Sequence, residues 1–305
     1  MSDRIVIVGG GIGGLALANS LQKKGIDSIV LESAKEFREI GSGIVLTPNG
    51  VKAIAAIDSS LLPMLLKMGC SPDPIYAHPF LCPNGRVKGT ADFSGMEDKW
   101  GAPTMTVMRS SLHSTLLSKL PKEKLRNSSR LVRVEQTKEK VTALLEDGVK
   151  IEGRLLVGAD GFRSIVRETF FDREKPQFLG VTSIRGIAKG VKHDLVQSGR
   201  GFLTAGNGIQ IFASSLGGDQ MYWAATLNEK ENIYPCLSPD KAKNELSIRT
   251  RKWHEPIREM IENSPDSTIY VSDIFTRKEL STWIDGRIVL LGDAAHPMTP
   301  FLGQG

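Results

Sequence analysis

The sequence predicts an α/β fold of two domains, a larger one built on a parallel sheet and a smaller one built on an antiparallel sheet. The apolar run Ile5–Val8 is typical of a strand buried on both faces of a parallel sheet, and a helical pattern and a second apolar run at Ser28–Leu31 complete a βαβ unit. Between Phe178 and Leu227 the pattern changes to β-rich runs separated by Gly pairs, which favours antiparallel strands. A length of 305 residues exceeds one ordinary domain.

The segments divide between these domains in an alternating order. A stretch rich in Pro, Asp and Gly from Ser71 to Gly101 is typical of a hairpin that leaves the first domain, and an apolar run from Arg287 to Leu291 returns to it. Ser110 or Ser111 is predicted to cap a helix in between. We therefore assign residues 1–72, 101–172 and 272–305 to the larger domain, and residues 73–100 and 173–271 to the smaller, substrate-binding one.

Composition excludes several classes of function. The apolar fraction is 40% and the charged fraction 24%, as in soluble globular proteins, and the net charge of +5 is spread along the chain without a block of Lys and Arg. We therefore expect no nucleic-acid partner. The three cysteines, Cys70, Cys82 and Cys236, have no CxxC spacing, so neither a disulfide framework nor a metal site is expected.

The start of the chain and its hydropathy bear on location. The first predicted strand begins by Arg4 or Ile5, which leaves no room for a signal peptide, and no apolar run reaches the ~18 residues that a membrane span requires. We expect a cytoplasmic protein without a membrane span.

A first motif follows the first strand directly. Gly9, Gly11 and Gly14 fit the spacing GxGxxG at the start of a helix, where glycines allow a tight turn, close approach of a pyrophosphate and close packing of helix on strand. The N-terminus of that helix offers unpaired N–H groups to phosphate. Glu32 ends the second strand, where a carboxylate can accept hydrogen bonds from ribose hydroxyls. The alternative, a glycine-rich turn beside an ordinary surface Glu, is disfavoured because strand, helix, second strand and acid all occur in register.

Two arginines extend this site. Arg38 precedes Gly41 and Gly43, and its guanidinium could reach phosphates or a ribityl chain in a bidentate manner. Arg109 lies at a predicted strand-to-helix junction on the ligand edge of the sheet. Either residue could instead be a solvated surface arginine.

Two further motifs carry an acid at the end of a strand. Asp160 and Gly161 follow one apolar strand, and Gly292 and Asp293 follow another. Ligands of open α/β sheets bind at the carboxyl ends of the strands, and Asp293 could hold the hydroxyls of a sugar-alcohol chain. Each motif taken alone could be a strand followed by an Asx turn, and His296 is more typical of a packed loop residue than of a base.

The three motifs, with Arg38 and Arg109 between them, resemble those of the FAD-dependent aromatic-ring monooxygenases of the para-hydroxybenzoate hydroxylase type. The resemblance is greatest to the branch with salicylate, 3-hydroxybenzoate and urate hydroxylases and zeaxanthin epoxidase, and it runs essentially from end to end. It implies a Rossmann-like FAD-binding domain, a substrate domain, and NADH or NADPH as co-substrate. It also implies dioxygen and a small aromatic molecule as partners, with oxygen transferred through a flavin hydroperoxide.

The resemblance also implies roles for single residues. Glu32 and the first motif would hold the ADP half of FAD, Asp160 and Gly161 would serve FAD and NAD(P)H, and Asp293 would bind the ribityl chain. Pro300 would lie beside the reacting face of the flavin. The full set of predicted cofactor residues is Gly9, Gly11, Ile12, Gly13, Gly14, Glu32, Ser33, Arg38, Gly43, Arg109, Asp160, Gly161, Gly292, Asp293, Pro300, Gly303 and Gly305.

Substrate contacts are sought in the β-rich segment. Arg185 is the candidate anchor for an anionic substrate. Strand alternation could also direct some of Gln210, Phe212, Tyr222 and Trp223 toward the flavin, although each could equally pack within the sheet or lie at its surface.

Several alternatives stay open beside aromatic hydroxylation. The family continues beyond the position of Gly305 into a helix that faces the flavin ring, so we expect a chain ending there to hold FAD weakly or not at all. A catalytically silent flavoprotein fragment is one alternative, and an epoxidase or an isoprenoid reductase of the same fold is another. A flavin disulfide reductase is disfavoured because no Cys precedes Cys70, and a flavin halogenase because its Trp-rich signature does not occur.

Overall fold

The computed structural model describes residues 3–36, 42–67 and 75–302. Its β-strands are β1 Ile5–Val8, β2 Ser28–Leu31, β3 Gly43–Leu46, β4 Ala77–Leu81, β5 Val87–Asp92, β6 Met105–Met108, β7 Leu125–Arg126, β8 Leu131–Gln136, β9 Val141–Leu145, β10 Lys150–Gly153, β11 Leu155–Gly158, β12 Gln177–Lys189, β13 Gly201–Gly206, β14 Ile209–Gly217, β15 Gln220–Asn228, β16 Tyr270–Thr276, β17 Ile284–Asp285 and β18 Ile288–Leu290. Its α-helices are α1 Ile12–Lys23, α2 Pro48–Ile57, α3 Leu61–Lys67, α4 Met96–Trp100, α5 Arg109–Leu117, α6 Ile165–Phe170, α7 Pro239–Thr250 and α8 Ile257–Glu262.

A six-stranded sheet with the order β17-β18-β11-β1-β2-β7 forms the centre of the larger unit. All its neighbouring strands are parallel except β17 and β18. The central strand β1 is buried on both faces: Ile5 and Ile7 pack against the core shared with α1 and α5, and Val6 and Val8 pack against the core beneath β8–β10. The continuous apolar run in the sequence is explained by these two cores.

The first crossover follows its predicted pattern. Gly11 is the N-cap of α1, and Gly25 stands just past the helix end with φ of +69°, a left-handed conformation that favours glycine. The helix carrying Leu112 and Leu116 differs from prediction. It begins at Arg109, with Met108 rather than Ser110 or Ser111 in the cap position, because it continues directly from β6.

A seven-stranded sheet with the order β16-β12-β15-β14-β13-β4-β5 forms the second unit. It is antiparallel apart from the pair β13 and β4. One face packs against α7 and α8 in an apolar core that includes Ile184, Trp223 and Leu246. The predicted fold class, a parallel sheet joined to an antiparallel one, is confirmed.

The other face of the seven-stranded sheet packs against β3 and β6, which form a two-stranded sheet of their own. Thr106 on β6 and Ser214 on β14 share a buried hydrogen bond of 2.7 Å between their hydroxyls. Met108 packs into a small apolar cluster with Ile187 and Tyr222. Strands of the predicted first domain thus contact this face of the seven-stranded sheet, which we call its site-facing side.

The exact domain boundaries stay a prediction, although the alternating order of segments agrees with the membership of the two large sheets. The strand β16 spans the predicted boundary at residue 272 and pairs with β12 in the seven-stranded sheet. Within the described parts of the chain, every helix is too short or too polar to span a bilayer.

Candidate functional site

The carboxyl ends of four neighbouring parallel strands carry the three motifs. Main-chain hydrogen bonds hold these ends side by side: Gly9 N to Leu31 O at 2.8 Å, Ala159 N to Val8 O at 2.7 Å, and Leu291 N to Gly158 O at 2.9 Å. Because these bonds continue across β2, β1, β11 and β18, the acid after each strand and the glycine loop lie along one edge. This is the edge at which open α/β sheets bind ligands.

Three positions of the first motif require glycine for different structural reasons. A Cβ on Gly9, whose φ is +107°, would lie 2.3 Å from the Ala159 carbonyl oxygen, and a Cβ on Gly14 would lie 2.0 Å from the Gly9 carbonyl oxygen. Both positions therefore need glycine for the fold itself. A Cβ on Gly11 would meet no atom within 4 Å. Gly11 thus faces open space, as the close approach of a ligand requires.

The carboxylate of Glu32 is fixed by the loop beside it. It accepts hydrogen bonds from the main-chain N–H of Gly10 at 2.8 Å and of Ala34 at 2.8 Å. The Ser33 hydroxyl lies 3.2 Å from the same carboxylate. These bonds hold Glu32 at the end of β2 with oxygen lone pairs left for ribose hydroxyls, since an ionised carboxylate can accept about four hydrogen bonds.

A cleft of about 280 Å³ opens at this edge. The predicted residues that line it are Gly9, Gly11, Glu32, Ser33, Asp160 and Gly161. Its wall also includes Ser129 and Arg130, which follow β7, and Arg163. The first and second motifs therefore form one concave surface.

Asp160 has a structural role in addition to its position in the cleft. Its carboxylate accepts hydrogen bonds from the Ser164 hydroxyl at 2.5 Å and from the main-chain N–H groups of Ile165 at 2.8 Å and Val166 at 3.3 Å. Burial raises the pKa of Asp160, and these bonds oppose that effect. Asp160, two residues after β11, thus accepts the first N–H groups of α6 beside the N-cap residue Ser164.

Two buried arginines hold the chain around the second and third motifs. Arg167, which is fully buried, donates to the carbonyl oxygens of Ala294 and Ala295 at 3.2 Å each. Arg277 donates to the Phe162 carbonyl at 3.1 Å, next to Asp160 and Gly161. Arg167 therefore ties α6 to the loop after β18, while Arg277 holds the loop after β11.

The third motif lies in a short 3-10 turn after β18. Gly292 has φ of +63°, and Asp293 is exposed. Leu291, which precedes them, provides the nearest atom to the Cβ position of Gly13, at 3.8 Å. Pro300 is exposed at the start of a second 3-10 turn, Pro300–Leu302.

A second group of predicted residues lies where β3, β6 and α5 meet. The main-chain N–H of Arg109 donates to the Ser42 carbonyl at 2.8 Å, and Gly43 of β3 pairs with Met108 of β6. One helical turn after Arg109, the His113 ring forms a 2.7 Å hydrogen bond through Nε2 with the Gly10 carbonyl. This contact joins the Arg109 region to the first motif.

The substrate candidates divide between the two faces of the seven-stranded sheet. Phe212 and Tyr222 belong to the cluster that faces β3 and β6, and alternation puts Gln210 on that face as well. Trp223 packs on the opposite face, where its Nε1–H donates to the Ser264 hydroxyl at 2.7 Å. Of the two alternatives for Trp223, the structure shows packing within the sheet, because the strand period of two turns its side chain toward α7 and α8.

Arg185 lies on the site-facing side of β12. Its guanidinium carbon is 4.8 Å from the centre of the Tyr270 ring, and its Nη2 donates to the Ser272 hydroxyl at 2.9 Å. Its Nε is buried without a hydrogen-bond partner. Burial raises the pKa of Tyr222, and the charge of Arg185 opposes that shift, so the two side chains lie close enough to interact.

Comparison with known proteins identifies the family. A family model described as FAD binding domain matches residues 3–305. The chain belongs to this FAD-binding family of monooxygenases. The aurachin C monooxygenase/isomerase of Stigmatella aurantiaca is 34% identical over 304 residues, which are 99% of this chain and 76% of that protein. A chloroplastic zeaxanthin epoxidase of an Oncidium hybrid cultivar is 34% identical over an alignment 321 residues long, which covers 99% of this chain and 46% of that protein.

The chain thus spans about three quarters of the aurachin C enzyme and less than half of the zeaxanthin epoxidase. Among solved structures, Klebsiella pneumoniae HpxO complexed with FAD and uric acid has a TM-score of 0.89 at 24% identity, covering 99% of this chain and 75% of that one. The 2,6-dihydroxypyridine-3-hydroxylase of Arthrobacter nicotinovorans has a TM-score of 0.81 at 20% identity, covering 99% and 80%. At these identities the structures establish the shared fold.

The described residues fit FAD, the cofactor of the family. Gly11 faces open space, and the first turn of α1 contains no acidic residue that would repel a pyrophosphate. Glu32 stands at the opposite side of the glycine loop with its carboxylate oriented by Gly10 and Ala34. The cleft beside them is lined by carboxylate, hydroxyl and guanidinium side chains, the types of group that can hydrogen-bond to a nucleotide.

Sequence reasoning missed several residues of the cleft. Ser129 and Arg130 follow the short strand β7, which has only two residues and no apolar run to mark it. Arg163 follows Gly161 closely but had no assigned role. The usable signal was position, since each follows the carboxyl end of a strand in the same sheet.

Some predicted residues lie outside the described ranges, namely Arg38, Gly303 and Gly305. A larger cleft, of about 410 Å³, is lined by Pro83, Trp253 and the end of α7 and contains none of the motif residues. Within residues 3–36, 42–67 and 75–302, the structure contains no cluster of three His, Cys, Asp or Glu side chains suited to a metal ion.

Proposed function

We propose that this chain is the catalytic core of a monooxygenase that uses FAD, NADH or NADPH, and dioxygen to insert one oxygen atom into a small aromatic or heteroaromatic molecule. The observation that carries this proposal is the convergence of the three motifs on one sheet edge, next to a second sheet whose inner face presents Arg185, Phe212 and Tyr222. Family membership at 34% identity supports it. We also propose that the protein acts in the cytoplasm.

The residues of the cleft bind the ADP half of FAD. The N-terminus of α1 and the N–H of Gly11 meet the pyrophosphate, and Glu32 accepts the hydroxyls of the adenosine ribose. Arg130 and Arg163, both exposed at the cleft wall, add positive charge near the phosphates. Asp160 acts by holding its loop against α6, since its carboxylate is already engaged by Ser164 and the first turn of that helix.

The remaining predicted residues extend along the same edge. Asp293 binds the ribityl chain, while Gly43 and Arg109 flank the path between the cleft and the second sheet. Pro300 lies beside the reacting part of the flavin. Bound FAD supplies hydride acceptance from the nicotinamide and activation of dioxygen, and the chain supplies orientation and the exclusion of water.

Substrate binds on the site-facing side of the seven-stranded sheet. The buried cluster of Ile187, Leu216 and Tyr222 provides an apolar wall for an aromatic ring. Arg185 provides a cation with an unused Nε–H donor, which suits a carboxylate or phenolate on the substrate. We therefore favour an anionic aromatic substrate.

Epoxidation is the second candidate, because several of the relatives are named zeaxanthin epoxidase. The two reactions use the same cofactor and differ in the group that accepts the oxygen. An isoprenoid reductase would use FAD without adding oxygen. A catalytically silent flavoprotein would consume no NAD(P)H in the presence of substrate.

The test uses the full-length protein with FAD, NADH or NADPH, isotopically labelled dioxygen, and a panel of phenolic acids, urate and olefins. Labelled oxygen in a hydroxylated ring supports the main proposal, and labelled oxygen in an epoxide supports the second candidate. A saturated double bond without label rejects both, as does the absence of substrate-dependent NAD(P)H consumption. Arg185→Ala is expected to raise the dissociation constant of an anionic substrate about tenfold or more, and Arg185→Lys to raise it less.

A further inference from the structure

One residue of the glycine loop, Gly10, is held through both of its main-chain polar groups. The N–H of Gly10 donates to Glu32 Oε2 at 2.8 Å, and the Gly10 carbonyl oxygen lies 2.7 Å from Nε2 of His113. The spacing of the glycine motif explains neither bond. His113 reaches this loop from α5, far away in sequence.

The surroundings of His113 define its protonation. Burial is the main effect that lowers the pKa of His113, and the charge of Arg109 lowers it further, while the Gly10 bond and Glu32 oppose these effects. The ring is therefore neutral at neutral pH. A carbonyl oxygen only accepts hydrogen bonds, so the single ring proton must lie on Nε2.

Because the peptide bond is planar, the contact between His113 and the Gly10 carbonyl also fixes the direction of the Gly11 N–H. In a trans peptide, the carbonyl of Gly10 and the N–H of Gly11 point in opposite directions within one plane. A carbonyl fixed toward His113 therefore fixes the Gly11 N–H away from His113. Gly11 is the residue of the motif that lines the cleft and faces open space.

We propose that His113 is a positioning residue for the cofactor: its Nε2–H holds the Gly10 carbonyl and thereby orients the Gly11 N–H toward the FAD pyrophosphate. This inference rests on the proposed function, because FAD is the ligand of the loop. A purely structural role for His113 would be to pack α5 against α1. The Asn19 side chain performs that task independently, donating to the Leu15 carbonyl at 2.8 Å and the Leu116 carbonyl at 3.0 Å.

Three variants of the full chain separate these roles. His113→Leu removes the donor, His113→Gln keeps an amide N–H at nearly the same distance from the main chain, and Asn19→Ala loosens the contact between α1 and α5 without touching Gly10. For each, the dissociation constant of FAD is measured by fluorescence titration of the apoprotein, and the stability of the apoprotein is measured by urea unfolding.

We expect His113→Leu to raise the FAD dissociation constant about five- to 30-fold, a loss of about 1–2 kcal/mol, because the Gly11 N–H is then no longer held in place for its hydrogen bond to a charged phosphate. His113→Gln should stay within about threefold of the wild type, and Asn19→Ala should lower stability while leaving the FAD dissociation constant unchanged. The proposal is overturned if His113→Leu binds FAD like the wild type, or if His113→Gln binds as weakly as His113→Leu.

A second measurement keeps the inference separate from the proposed function. If the wild-type chain holds too little FAD to titrate, amide hydrogen exchange of the peptide containing Gly9–Gly13 decides the role of His113, and the labelled-dioxygen assay decides the proposed function. Faster exchange in His113→Leu with wild-type exchange in His113→Gln supports the orienting bond. Equal exchange in all three proteins rejects it.

Discussion

At the scale of single residues, the glycine motif combines two physical requirements that look alike in sequence. Gly9 and Gly14 are required because the protein's own main chain occupies the space where a side chain would be. Gly11 is required only if something else occupies the open space in front of it. Substitution can separate the two requirements.

We predict opposite phenotypes for two of these glycines. Gly11→Val should leave the urea midpoint of the apoprotein within the small range typical of surface changes, because no protein atom lies within 4 Å of the new Cβ, yet raise the FAD dissociation constant more than tenfold. Gly14→Ala should destabilise the apoprotein by about 2 kcal/mol or more, since its Cβ meets the Gly9 carbonyl. Gly89→Ala, on the exposed strand β5 with open space around its Cβ, is the control. Equal FAD affinity in Gly11→Val and the wild type would contradict the cleft assignment.

The buried side chain of His78 leads us to predict how the stability of the protein depends on pH. Burial lowers the pKa of His78 from 6.5 to about 4, and its Nε2 has no hydrogen-bond partner. Between these two values the unfolded chain binds a proton that the folded protein does not, so stability is fully present above pH 6.5 and falls as the pH drops toward 4, by up to about 3 kcal/mol.

The measurement is urea unfolding across this pH range. His78→Leu should show a lower stability at neutral pH from altered packing but a shallower decline between pH 6.5 and 4. His296→Gln, at an exposed position, should retain the wild-type decline. A decline in His78→Leu as steep as in the wild type would show that other groups cause it.

At the scale of secondary-structure elements, the turns after β11 and β18 carry acids of similar appearance and different use. The Asp160 carboxylate accepts three hydrogen bonds at the start of α6, whereas Asp293 is exposed in its 3-10 turn. The first acid builds the loop, and the second is available to a ligand.

This difference predicts that loss of the first acid lowers both the stability of the apoprotein and its affinity for FAD, whereas loss of the second lowers the affinity alone. Asp160→Ala should cost the apoprotein about 1–2 kcal/mol, because it removes the acceptor of the Ser164 hydroxyl and of two N–H groups in the first turn of α6, and should weaken FAD binding because its loop lines the cleft. Asp293→Asn should change stability by less than about 0.5 kcal/mol and weaken FAD binding alone. Urea unfolding and FAD titration of the two apoproteins check this, and a loss of stability in Asp293→Asn equal to that in Asp160→Ala would refute it.

The elements also show how far sequence reasoning reaches. The buried strand Ile5–Val8, the glycine loop and Glu32 were predictable because hydrophobic period and motif spacing are local properties. The role of Asp160 at the start of α6 was not, because it depends on the path of the chain after Gly161. The face of Trp223 stayed open for a similar reason: its strand was recognised, but which side of the sheet packs against α7 and α8 is set by the tertiary fold. His113 reaches Gly10 only through the packing of α5 on α1.

At the scale of the whole molecule, two sheets of different construction meet at β3 and β6. The sheets approach closely at Gly43, since a Cβ there would lie 2.5 Å from Cγ and 2.6 Å from Cβ of Tyr222. Tyr222 is buried and lies on the face proposed to bind substrate. The spacing between cofactor edge and substrate sheet therefore depends on the absence of a side chain at residue 43.

We predict that Gly43→Ala forces the two-stranded sheet of β3 and β6 away from the seven-stranded sheet. The methyl group overlaps atoms near the main chain of Tyr222, which cannot swing away as the end of a flexible side chain could, so the apoprotein should lose about 1–3 kcal/mol of stability. Tyr222→Gly removes all three overlapping atoms, so adding Gly43→Ala to it should cost less than adding it to the wild type. Such a difference between backgrounds is the coupling energy of a double-mutant cycle, measured by urea unfolding. Gly50→Ala, in α2 with its nearest neighbour atom at an ordinary 3.6 Å, is the matched control and should be neutral or stabilising. If Gly43→Ala costs the same in both backgrounds, the contact with Tyr222 does not set the distance between the sheets, and the substrate site proposed between them would need a different wall.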